Sequence, residues 1–103
     1  MQTNRPFDCA TMAELRVQTD TLDNQLIDLL VARCGYIDRA VDLKKIEGLP
    51  ARTTDRVQEV LNSVRNNAAS KGLDPDLVAD IWTTLIEWSI AREATHLGHG
   101  AQR

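Results

Sequence analysis

Three stretches of the chain carry apolar residues at helical spacing, and glycine and proline separate them. In the first, Leu15, Leu22, Leu26, Leu29, Leu30, Ile37 and Val41 form one stripe between about residues 11 and 46. Thr11-Met-Ala-Glu14 opens it as a capping box. The threonine hydroxyl takes a free N–H and the glutamate reaches back. Gly48-Leu-Pro50 closes it, because glycine ends a helix and proline cannot continue one. Gly35 lies inside and costs roughly 1 kcal/mol against alanine. It reads as close packing or simple tolerance. The second stretch, about 53–70, sets Val57, Val60, Leu61, Val64 and Ala68 on one face, with Gly72 as its C-cap. Asp74-Pro75, an N-cap and a first-turn proline, opens the third at about 75–97. That stretch carries Leu77, Val78, Ile81, Trp82, Leu85, Ile86 and Ile90. The pattern predicts an all-α chain of three helices, one domain over residues 1–103, with frayed ends at 1–8 and 98–103.

The length of the first helix adds information. About 36 residues at 1.5 Å each span about 54 Å. A compact domain of this size is roughly 30–35 Å across. The helix therefore overhangs its own domain, and its apolar stripe continues into the overhang. A second copy of the chain is the simplest cover, and the second and third helices together are long enough to line the first. An intertwined homodimer is expected.

Composition narrows the function. The 103 residues are 43% hydrophobic and 26% charged, which suits one ordinary globular domain. A net charge of −3 leaves no electrostatic footprint for nucleic acid. No apolar run is long enough to span a membrane. Met1 to Pro6 lacks the apolar core of a secretory signal. Cys9 and Cys34 are too few for a disulfide framework. Read as reduced thiols, they point to the cytoplasm.

The cations carry the candidate chemistry. Arg33 and Lys44 are 11 positions apart. That spacing puts both on one helix face, about 16 Å apart along the axis. They border the apolar stripe. Long side chains there either cover apolar surface with their heads in water or hold a small dianion between a forked guanidinium and a point-charge ammonium. Arg16, 17 positions before Arg33, is about 100° off that face and about 25 Å away. It can join such a site only from a partner chain. Arg56 opens the second helix, where free N–H groups also favour an anion. Its alternative is a surface ion pair with Asp55 or Glu59.

Leu15-Arg16, Leu22-Asp23, Leu29-Leu30, Arg33, Lys44 and Arg56, with cation spacings of 17, 11 and 12, resemble the all-α class of chorismate mutase. The resemblance runs from about Cys9 to Leu97. It implies an intertwined three-helix dimer with two active sites and no cofactor or metal. The substrate would be a dicarboxylate that rearranges pericyclically to prephenate. Arg33 and the partner subunit's Arg16 would bind the carboxylates. Lys44 would bridge a carboxylate and the ether oxygen, and Arg56 would help close the pocket. Negative charge grows on that oxygen as the C–O bond stretches, so a fixed donor there favours the transition state. Ser89 falls at a family position near the substrate. Asp8-Cys9 and Ile86-Glu-Trp88-Ser-Ile90-Ala resemble a cousin within the family, isochorismate pyruvate lyase.

Two positions depart from the mutase pattern. Family members place a glutamine on the third helix to donate to the ether oxygen, and register puts Glu93 there. Glutamate donates only when protonated. Activity is then expected to fall as pH rises, and Glu93→Gln to flatten the profile. The alternative is a surface residue paired with Arg92 or His96. Many mutases also follow the second-helix arginine with a glutamate that binds the ring hydroxyl. Here Val57 follows Arg56, as in the lyase, and Thr53 stands where many mutases have an acid. Chorismate and isochorismate both remain open as substrate.

Other readings are weaker. Glu93-x-x-His96-x-x-His99 has metal-like spacing, but Gly98 interrupts it and no fourth ligand is evident. The turn Lys71-Gly72-Leu73-Asp74 could join a DNA-binding helix pair, but the third helix is poor in Lys and Arg. Cys34 beside Arg33 has no histidine near in sequence to make it a nucleophile. A helical dimerisation or regulatory module without turnover is the non-enzyme alternative.

Overall fold

The computed structural model describes residues 5–97. A short 3-10 turn, Pro6–Asp8, precedes three helices: α1, Met12–Glu47; α2, Thr54–Ser70; and α3, Pro75–Leu97. There is no strand among the described residues, and each helix lies within a residue of its predicted bounds. No described helix is long and apolar enough to cross a membrane.

The helix ends follow from the residues that stand there. Thr11 Oγ1 accepts the Glu14 N–H at 3.1 Å. The Glu14 carboxylate reaches back to the Ala10 N–H at 3.0 Å, one residue beyond the usual capping box. Gly48, at φ 70°, ends α1 in the left-handed region, and the Leu49 N–H then reaches the Lys44 carbonyl at 2.9 Å. Gly72, at φ 77°, does the same for α2. There the Leu73 N–H bonds to the Ala68 carbonyl at 2.8 Å and the Gly72 N–H to the Ala69 carbonyl at 3.2 Å, a Schellman closure. Asp74 Oδ1 accepts the Asp76 N–H at 2.9 Å and so caps α3, with Pro75 as its first residue. Close packing at Gly35 is not found, since an added Cβ there meets no atom within 4 Å.

The chain divides into two compact units, residues 1–35 and 36–103. In the first, the described residues comprise the 3-10 turn and α1 up to Gly35, and none of them is buried. Leu22, Leu26 and Leu29 are 47%, 57% and 67% exposed. The second unit holds α1 from Tyr36 onward, α2 and α3. Here α2 and α3 pack together as a helical hairpin, joined by residues 71–74. Arg65 on α2 pairs with Asp76 on α3 at 2.9 Å beside that turn. The core of this unit is Val41, Ala68, Val78, Ala79 and Ile86.

Candidate active site

The buried face of α3 begins as a plain apolar stripe. Val78, Ala79 and Ile86 follow helical spacing, and the same face then continues into Ser89 and Glu93, each 4% exposed. Two polar side chains thus occupy positions that the repeat reserves for the core. The serine is satisfied locally, its hydroxyl donating to the Leu85 carbonyl at 2.8 Å. A buried carboxylate needs a stronger partner, because losing water costs a charge several kcal/mol. Lys44 supplies it. Its Nζ donates to Glu93 Oε1 at 2.6 Å and to the Ala51 carbonyl at 2.6 Å. The lysine side chain is itself only 17% exposed. One ammonium therefore joins the end of α1, the α1–α2 connection and α3.

Two exposed ion pairs flank this one. Arg92 forks onto Asp38, with Nε–Oδ1 at 2.6 Å and a second bond to Oδ2 at 3.1 Å. The same guanidinium lies 5.5 Å from the Trp88 ring centre. Hydrogen bonding from Arg92 holds the Asp38 carboxyl below its ordinary range. Arg52 pairs with Glu87, which lowers the glutamate and raises the arginine further, the hydrogen bond being the main cause in both. Asp38, Val41 and Lys44 are spaced i, i+3, i+6, so they share one strip of α1 with the buried valine in the middle.

Among the residues singled out from the sequence, Lys44 and Glu93 are brought together, and Ser89 sits one turn before Glu93 on the same face. Glu93 is not the surface residue of the alternative reading. Arg92 is taken by Asp38, and His96 Nδ1 lies 3.0 Å from the Arg92 carbonyl. Arg56 is exposed in the first turn of α2, and its guanidinium is held by Glu59, as one of its two readings had it. Arg16 is exposed and Arg33 half-buried, both on the first-unit part of α1. His99 of the metal-like spacing lies outside the described residues. Sequence reasoning missed the Asp38–Arg92 and Arg52–Glu87 pairs. The i, i+3, i+6 strip carried a trace of the first, but its partner on α3 depends on how the helices meet.

An open hollow of about 230 Å³ lies elsewhere in the second unit, lined by Val64, Ala68, Leu73, Val78 and Trp82 with Asn67 and Lys71 at its edge. Its lining is apolar and offers one cation, so it suits a dianion poorly. The Lys44–Glu93 contact is the better candidate, because buried polar groups converge there from α1, the α1–α2 connection and α3.

Comparison with known proteins identifies the family. The family model for chorismate mutase type II matches residues 15–94. The chain belongs to the chorismate mutase type II family. It is 30% identical over 89 residues to an isochorismate pyruvate lyase of Pseudomonas aeruginosa, covering 85% of this chain and 86% of that protein. It is 23% identical over 86 residues to a chorismate mutase of Methanocaldococcus jannaschii, covering 84% and 87%. It is also 32% identical over 84 residues to a T-protein of Enterobacter agglomerans, covering 82% of this chain. The matched segment is 22% of the length of that T-protein and of a second one from Haemophilus influenzae. Arg16, Arg33, Lys44 and Arg56 all fall inside the matched residues.

Proposed function

We propose that this chain is a chorismate mutase that rearranges chorismate to prephenate by electrostatic stabilisation, without a cofactor. The observation that carries the reading is the buried contact between Lys44 and Glu93 within a chain of this family. A lysine ammonium has three N–H donors. Two are engaged by Glu93 and Ala51. The third is the donor for the substrate's ether oxygen, where charge grows as the C–O bond breaks. A fixed, half-buried donor gains strength where water is scarce. Glu93 fixes the lysine by accepting from its ammonium, at the position where family members carry a glutamine. Arg33 binds one carboxylate and the partner subunit's Arg16 the other. Arg56 leaves Glu59 to close over the substrate, and Ser89 lines the pocket floor.

This reading requires a homodimer in which two copies cross through the first part of α1. The support is physical: apolar side chains along residues 15–31 are uncovered in the single chain. The chain acts as one domain within that dimer, and its free thiols suit a cytoplasmic setting.

Lys44→Ala tests the reading. Removing a donor of this kind costs about 3–4 kcal/mol in the barrier, or roughly a hundredfold to a thousandfold in kcat. Activity within tenfold of wild type contradicts the assignment.

A second reading, cleavage of isochorismate to salicylate and pyruvate, rests on separate observations. Val57 follows Arg56 and Thr53 precedes it, so the ring-hydroxyl acids of many mutases are missing. The lyase relative is also matched over nearly its whole length. The same Lys44 and Arg33 serve either dianion, and the products separate the two.

A further inference from the structure

We propose that Asp38 and Arg92 form a positioning pair that sets the rotation of α3 so that Glu93 meets Lys44. The inference deepens the proposed function, because it assigns residues that act through the same reaction centre. Lys44 hangs on four flexible methylenes and makes one bond to Glu93, so that contact alone tolerates a range of helix rotations. A forked guanidinium–carboxylate pair does not, since two parallel bonds fix its plane. Arg92 and Glu93 are successive residues of α3, about 100° apart around its axis. The fork holds one direction of the helix and thereby aims the other. On α1, Asp38 and Lys44 stand on either side of Val41, which is 5% exposed. The two ion pairs thus clamp α3 to the end of α1 around a buried contact. Trp88, one turn before Arg92, lies against the guanidinium and limits its swing. The lowered Asp38 carboxyl agrees with a pair that is occupied rather than incidental.

The geometry makes a specific demand. If the fork only decorated the surface, its loss would leave Lys44 as shielded as before. If it positions α3, its loss frees the lysine. Brief acetylation of the folded protein with a limiting acylating reagent, read by mass spectrometry, measures this without reference to activity. Exposed Lys45, next in sequence, serves as the internal standard. In Asp38→Asn the ratio of Lys44 to Lys45 modification is expected to rise at least fivefold, and Arg92→Gln should match it. The reversed pair, D38R with R92D, should return the ratio to within twofold of wild type, which a general loss of stability would not allow. An unchanged ratio in Asp38→Asn, or no recovery in the reversed pair, overturns the proposal. The kinetic arm uses whichever dianion the wild type converts. Asp38→Asn is expected to lower kcat about tenfold, with KM within threefold, because a misaimed donor loses transition-state contact before it loses substrate. A wild type that converts neither dianion refutes the proposed function, while the acetylation ratio still decides the positioning pair.

Discussion

Residues 12–35 and residues 36–47 of α1 continue the same apolar repeat, yet they differ in what covers it. Val41 in the later part is buried under its own chain. Leu22, Leu26 and Leu29 in the earlier part are about half exposed or more. The polar residues differ in parallel. The later part places Asp38 and Lys44 in ion pairs with α3, whereas Arg16 stands exposed on the earlier part. One region is finished by the chain's own fold, and in the proposed homodimer a second chain covers the other. Helical periodicity reports that a face is apolar but does not say who covers it.

The largest effect should come from spoiling the uncovered face. Leu26→Glu with Leu29→Glu should halve the mass measured by sedimentation and lower activity at least a hundredfold, because burying charge in an apolar interface is costly. A double variant that stays dimeric and active removes the basis for the contrast.

Co-expression sharpens it. Arg16→Ala and Lys44→Ala homodimers are each expected to be nearly inactive. A mixed dimer has one site with an intact Lys44 and an intact Arg16 from its partner. Random pairing then restores about a quarter of wild-type activity. No recovery means that Arg16 acts within its own chain.

A smaller effect is expected at Glu93. Glu93→Gln keeps the shape of the side chain but removes the charge that pairs with Lys44, so kcat should fall about tenfold. An unchanged kcat in the variant means that the ion pair does not fix the lysine for the reaction. The smallest effect concerns the exposed pairs of the second unit. Asp38 and Glu87 are held below their ordinary carboxylate ranges by Arg92 and Arg52. Their contribution to stability is therefore complete above the unfolded carboxyl range, near pH 4, and is lost as pH falls through the lower folded values. The melting temperature should be level from pH 7 to pH 5 and dip slightly below about pH 4. Asp38→Asn with Glu87→Gln should make that dip shallower, and an identical dip would show that other carboxyls cause it.

The fold was largely legible because its punctuation is explicit. Thr11 with Glu14, Gly48, Gly72 and Asp74-Pro75 each act by local chemistry that needs no tertiary information. Lys44 was legible as a candidate by its spacing from Arg33 on one helix face, and Glu93 by the register of the family resemblance. Their mutual contact was not, because it joins positions 49 residues apart. The same reason hid Asp38 and Arg92, which are 54 residues apart. Sequence offered Asp55 or Glu59 for Arg56 and Arg92 or His96 for Glu93; Arg56 does hold Glu59, whereas Arg92 reaches Asp38. Local pairs can be read from i, i+3 spacing. Pairs between helices depend on rotation and crossing, which no spacing encodes.

The most direct test of the account offers the purified protein chorismate and isochorismate separately and follows prephenate, salicylate and pyruvate. Efficient conversion of chorismate is expected, with prephenate as the product. Salicylate and pyruvate from isochorismate, with chorismate left untouched, contradict the mutase assignment and make Val57 the truer guide to the substrate.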